Sequence, residues 1–83
     1  MTDQEIFQII VDIIRSNFKQ LGDNVAIELD TNLKKDLELD SVDKVEIKLA
    51  LDKELNIKVN NDEFAQNCET PKRIVKVIAR YVK

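Results

Sequence analysis

The sequence predicts an all-α domain: a small four-helix bundle of three longer helices and one short one, with a long loop between the first and second helices. Three observations carry this. The chain of 83 residues is 43% hydrophobic but contains one Gly and one Pro, a composition that favours helices with few tight turns over a small β domain. Apolar residues recur at helical spacing in separate stretches, and helix-start signals precede them. The one stretch that alternates with period two has no second strand to pair with, and a lone strand is not stable. A chain below the usual ~100–150 residues per domain makes one domain, expected over residues 1–83.

Each element has its own signature. Thr2-Asp3-Gln4-Glu5 fits a capping box, with Met1 and Ile6 placed as the hydrophobic staple. Ile6, Ile9, Ile10, Ile13, Ile14 and Phe18 then form a helical stripe, widened by Phe7 and Val11. The first helix should run from about residue 3 to 20, with Gly22 as a left-handed stop. Val25, Ile27 and Leu29 alternate with polar residues, but the segment 22–40 reads as a loop pinned by Val25, Ile27, Leu33 and Leu37. A loop of that length is expected to serve a function. The second helix begins at Asp40 or Ser41 and reaches Leu55, with Asp40 as its cap and Asp43 in its first turn. Asn60 and Glu63 repeat the box spacing for a short third helix, and Val59 and Phe64 repeat the staple. Thr70 and Pro71 open the last helix, whose buried stripe is Ile74, Val77, Ile78, Tyr81 and Val82.

The second helix carries two apolar sectors. At ~100° per residue, Ile47, Ala50, Leu51 and Leu55 fall together, while Val42, Val45 and Leu49 fall on roughly the opposite side. A helix in a two-layer bundle gives one side to the core. The surplus sector therefore lines a cavity between helices, meets a partner, or marks a helix buried on more than one side. The last of these is the ordinary outcome in a short chain.

Composition also excludes chemistry. There is no histidine, which removes the commonest general base, the commonest metal ligand and any Ser-His or Cys-His arrangement. The single cysteine, Cys68, can form no internal disulfide and is expected to pack as a small apolar residue. A net charge of −3 disfavours nucleic-acid binding. No apolar run is long enough for a membrane span or a signal peptide, so a cytoplasmic monomer is the expectation. Charge is uneven: Glu28, Asp30, Asp36, Glu38, Asp40, Asp43 and Glu46 crowd the middle of the chain, against Lys34, Lys35 and Lys44. Pro71 to Lys83 holds basic residues without an acidic one, read as a solvated helix face. Asp30-x-Asn32-x-Lys34 is not a calcium loop, because its third ligand is a lysine and the glycine is absent.

The candidate functional residue is Ser41, set between Asp40 and Val42-Asp43 where the loop becomes a helix. A serine hydroxyl is a weak nucleophile without a neighbouring base, and an adjacent aspartate is too acidic to serve. If Ser41 reacts, a second protein activates it. Asp40 could assist by holding a Mg²⁺ beside the incoming group. An anionic group attached there would gain from the helix start but face repulsion from Asp40 and Asp43. The competing reading is a plain capping serine.

Asp40-Ser41-Val42 resembles the phosphopantetheine-attachment motif of acyl carrier proteins, Asp-Ser followed by Leu, Val or Ile. The likeness takes in Thr31-Asn32-Leu33, Asp36-Leu37, Asp40 to Asp43, Val45-Glu46, Ala50-Leu51 and the terminal helices, essentially the whole chain. It implies a four-helix bundle that is not an enzyme, with 4'-phosphopantetheine attached covalently to Ser41 by a phosphopantetheinyl transferase. Acyl groups would travel as thioesters on that arm between loading, synthase and acyltransferase enzymes, in fatty-acid or related lipid biosynthesis. Val42, Asp43, Val45, Glu46 and Leu49 would form the partner surface, and acyl chains could withdraw into the bundle. Two departures stand out: Glu38 occupies the place where the family often has glycine, and Lys44, Lys48 and Lys53 interrupt a helix usually strongly acidic. These leave room for a specialised carrier of an amino acid or polyketide unit. An unmodified helical adaptor, binding a partner helix through the same stripes, is the rival from another class.

Overall fold

The structure, a computed structural model, describes residues 1–21 and 25–82. It contains α1 (Asp3–Asn17), a 3-10 turn (Lys19–Leu21), α2 (Ser41–Leu55), α3 (Asn61–Gln66) and α4 (Pro71–Tyr81), with no strand among the described residues. α1 lies against both α2 and α4, and α3 bridges α2 to α4. The expected bundle of three longer helices and one short one is therefore present.

Helix α1 starts where its capping box sits. The Thr2 hydroxyl accepts the Glu5 N–H at 3.2 Å, and the Glu5 carboxylate accepts the Thr2 N–H at 2.8 Å. The backbone bond from Thr2, and then its hydroxyl, hold the Glu5 carboxyl below its ordinary value of 4.5. This contribution to folding is complete above the unfolded value and is lost as pH falls through the lower folded one. Met1 stays 60% exposed, so the staple position is filled but not buried. The helix ends at Asn17, short of the expected residue 20, because the chain tightens into the 3-10 turn after buried Phe18. The expected Gly22 stop lies outside the described residues.

The loop after α1 is pinned rather than paired. Ile27, Leu33, Leu37 and Leu39 are buried, and Val25 packs against the core. Leu29 points outward, which breaks the alternating pattern as a core-facing strand. Polar contacts complete the anchoring: Arg15 donates to the Val25 carbonyl at 2.8 Å, Leu33 N–H to the Glu69 carbonyl at 3.0 Å, and Lys72 N–H to the Leu29 carbonyl at 3.1 Å.

At α3 the anticipated box is half made. Asn60 Oδ1 accepts the Glu63 N–H at 2.9 Å, but the Asn60 N–H donates to the Tyr81 hydroxyl at 3.2 Å. That hydroxyl donates to Glu63 Oε1 at 2.8 Å, while Arg80 pairs with Glu63 Oε2 at 2.7 Å. Glu63 thus joins a short helix, too short to be stable alone, to the last turn of α4. Buried Val59 and Phe64 supply the staple. α4 opens as expected, with Thr70 as its cap and Pro71 at its start. It buries Ile74, Val75, Val77 and Ile78, and leaves Lys72, Arg73 and Lys76 on the solvent side.

One charged residue enters the interior. Lys48 is only 6% exposed, and its ammonium meets Asp52 Oδ2 at 2.6 Å one turn along α2. Asp52 Oδ1 accepts the Val59 N–H at 3.1 Å, so one carboxylate satisfies a cation and the segment entering α3. Removing the acid leaves a buried ammonium and a backbone N–H without partners, whereas removing the amine spares the second bond. In urea unfolding, Asp52→Ala should cost about 3 kcal/mol. Lys48→Met, which keeps the apolar stem packed, should cost less than about 1 kcal/mol. Equal losses would show that the Val59 bond contributes little.

Candidate functional site

The loop delivers the chain to α2 through a defined turn. Leu37 and Leu39 are buried on either side of exposed Glu38, and the Leu39 N–H donates to the Leu33 carbonyl at 2.9 Å. Glu38 takes φ 57°, in the left-handed region. Asp40 is extended and caps α2: its Oδ1 accepts the Asp43 N–H at 2.9 Å, and Asp43 Oδ2 accepts the Asp40 N–H at 3.1 Å.

This reciprocal box decides the position of Ser41. The capping function is already discharged by Asp40, so Ser41 is the first helical residue and not the cap. Its side chain is exposed and makes no hydrogen bond to any described residue. The capping-serine reading therefore falls. What remains is a solvent-facing hydroxyl at a helix start, flanked by carboxylates that each keep a second oxygen outside the box. No described group is arranged to take its proton. Among the described residues no cluster of three or more His, Cys, Asp or Glu side chains could hold a metal ion. A Mg²⁺ at Asp40 would therefore need its other ligands from elsewhere.

The two sectors of α2 separate cleanly. Ile47 and Leu51 are fully buried, with Ala50 and Leu55 packed at the margin. Val42, Val45 and Leu49 are 64%, 52% and 58% exposed. The expectations that this second stripe is deeply buried, or lines a cavity inside the bundle, are corrected: it faces solvent. The reason is that α2 packs on α1 and α3, and no described element covers the side that carries Val42, Val45 and Leu49. Glu46 is exposed beside the stripe and Asp43 half-buried at its start. An outward row of aliphatic side chains beginning next to Ser41 is a surface suited to a partner.

Sequence reasoning missed a recess that Lys44, on the first turns of α2, helps to line. Lys34, Lys35 and Lys44 line a recess of about 300 Å³ with Asn32, Cys68 and Glu69. Cys68 is buried as expected, and burial pushes its thiol up against the opposing pull of Lys44. The signal was the basic set Lys34, Lys35 and Lys44 within an acidic stretch, but their convergence requires the loop to fold back against the α3–α4 connection.

Comparison with known proteins places this geometry in context. Residues 8–78 match the family model described as "Phosphopantetheine attachment site". The chain is similar to an acyl carrier protein of Lactobacillus acidophilus, 40% identical over 63 residues, 76% of each chain. It is also similar to one of Guillardia theta, 37% identical over 67 residues, covering 80% of this chain and 79% of the other.

Glu38 holds its left-handed conformation at a cost of about 1–2 kcal/mol, because its Cβ crowds the following carbonyl. Glycine removes that crowding but loosens the unfolded chain by about 0.5–1 kcal/mol. Glu38→Gly should therefore stabilise the fold by up to about 1 kcal/mol, and Glu38→Val should destabilise it by at least as much. Urea unfolding midpoints check both signs, and a stabilising valine would mean that the turn is not constrained.

Proposed function

Because the chain belongs to the phosphopantetheine-attachment family of acyl carrier proteins, whose members are carriers and not enzymes, we propose that Ser41 holds the 4'-phosphopantetheine arm of a single carrier domain spanning the chain. The observation that carries this reading is the exposed, unbonded Ser41 hydroxyl beside an Asp40 that has already taken the capping duty. In the transfer, the Ser41 oxygen forms a bond to the phosphorus of coenzyme A. The bond to the departing adenosine 3',5'-bisphosphate breaks, and the serine proton passes to a base of the transferase. Asp40 would help to hold the Mg²⁺ that accompanies the diphosphate, a hard cation suited to its carboxylate. Bound in this way, the arm supplies a terminal thiol on which acyl groups ride as thioesters.

The partner surface in this reading is Val42, Asp43, Val45, Glu46 and Leu49. The aliphatic residues supply the contact area, and Glu46 and Asp43 supply charge for Lys or Arg on the transferase and on loading, synthase or acyltransferase enzymes. Fatty-acid or related lipid biosynthesis is the pathway proposed, with the monomer working in the cytoplasm. The inward turn of Lys48 supports it: its charge is matched by Asp52 and withdrawn from the docking side. One of the cations that interrupt the acidic helix in sequence is thereby removed from its surface. A carrier of an amino acid or polyketide unit would use the same tether.

The test is direct. The apo chain, incubated with coenzyme A, Mg²⁺ and a broad-specificity phosphopantetheinyl transferase, should gain one phosphopantetheinyl mass, and Ser41→Ala should gain none. A chain left at its apo mass while a control carrier is modified overturns the reading and favours the unmodified adaptor. Leu49→Asp should leave the melting temperature nearly unchanged, since the side chain is exposed. It should lower the transferase kcat/KM for this carrier about tenfold, or ~1.4 kcal/mol of transition-state stabilisation.

A further inference from the structure

Lys44 behaves unlike the other lysine of α2 that has an acid four residues away. Lys48 pairs with Asp52. Lys44 has Asp40 at the matching distance in sequence, on the preceding turn, but the two form no ion pair, and one oxygen of that carboxylate accepts the Asp43 N–H. Lys44 is half-buried and lines the recess together with Lys34 and Lys35. Among the described residues none of these three ammonium groups has a carboxylate within ion-pair distance. A partly desolvated cation without a counter-charge is unfavourable, which describes Lys44; the exposed Lys34 and Lys35 add two more cations to the same concavity of about 300 Å³.

The recess is built and not incidental. Asn32 Oδ1 accepts the N–H groups of Lys34 at 3.0 Å and Lys35 at 2.8 Å, which fixes the turn that presents them. Asp36 returns the favour by accepting the Asn32 N–H at 2.8 Å, and the Leu33 N–H ties the turn to the Glu69 carbonyl at 3.0 Å. Glu69, the acid lining the recess, is turned to the Asn32 side-chain amide at 3.5 Å, and its single charge leaves the three lysines in excess. Lys44 lies three residues after Ser41, and helix neighbours at that spacing have Cβ atoms ~5–6 Å apart. Helical side chains lean toward the N-terminus, so the Lys44 stem lies over the turn that presents Ser41.

We propose that the recess formed by Lys34, Lys35 and Lys44 binds an oxyanion carried on the Ser41 arm. The proposal rests on Ser41 being the attachment point. Two sources carry the same chemistry: the phosphodiester at the root of the arm, and a free carboxylate at the far end of an acyl cargo when the arm folds back. Binding of the first kind sets the direction in which the arm leaves the helix, offsetting repulsion from Asp40 and Asp43. Binding of the second kind makes the carrier selective for dicarboxylic acyl groups over simple fatty chains.

The test uses the full chain, with loading verified by intact mass. Amide nitrogen–proton spectra are compared for the apo form, the phosphopantetheinylated form, and forms loaded from butyryl- and succinyl-coenzyme A. If the phosphodiester is the ligand, the amides of Lys34, Lys35 and Glu69 shift between apo and holo protein. If the cargo carboxylate is the ligand, they shift with succinyl and not with butyryl. Either response should vanish in the Lys34→Gln, Lys35→Gln, Lys44→Gln triple variant, persist when the same positions become arginine, and fade near 1 M salt, where the Debye length is ~3 Å. A verified holo and succinyl form whose recess amides match the apo and butyryl forms overturns this proposal alone. A chain that gains no mass overturns the attachment reading and this proposal with it.

Discussion

Leu33 is held at three points at once, and the geometry around Ser41 follows from that. Its side chain is fully buried in the core, its N–H donates to the Glu69 carbonyl, and its carbonyl accepts the Leu39 N–H. One contact sets the depth of the loop, the second sets its position against the α3–α4 connection, and the third sets the turn through Glu38. The chain then reaches Asp40 in the extended conformation that a cap requires. A loop of this length loses much conformational freedom on folding. Concentrating the restraints at one buried leucine orders the approach to α2 without a strand.

Helix α2 shows how one element serves an interior and an exterior together. Its buried side is narrow, with Ile47 and Leu51 at its centre and the Lys48–Asp52 pair beside them. The opposite side spends three aliphatic residues where they gain nothing for the isolated protein. Exposed single apolar residues are ordinary, but a row of them continuing from the exposed Ser41 is not. The stability lost by leaving them in water is the cost of a surface that other proteins can cover.

Helix starts and their caps were legible from the chain because they depend on residues within a few positions of one another, whereas the end of α1 came earlier than expected because the 3-10 turn follows it. Thr2 with Glu5, Asp40 with Asp43, and Thr70 with Pro71 needed no knowledge of the rest of the molecule. The two sectors of α2 were legible as an angle, but not as an inside and an outside, because periodicity fixes relative direction and packing against α1 fixes which side is covered. Glu63 looked like half of a local box, and its carboxylate instead went to Tyr81 and Arg80 on α4. The lysine recess was hidden for a similar reason: Lys34 and Lys44 belong to different elements, and Leu33 brings their neighbourhoods together.

The single thiol of the chain has a consequence for cargo retention. Thioesters exchange readily with a nearby thiolate, and an acyl group passed to a side chain would be stranded on the carrier instead of delivered. Cys68 borders the lysine recess together with Lys44 of α2. It is nevertheless buried and kept protonated, and its sulfur is engaged with the Ala65 carbonyl at 3.6 Å. The fold thus tolerates a thiol in an acyl carrier by denying it the ionised form in which it could take the acyl group.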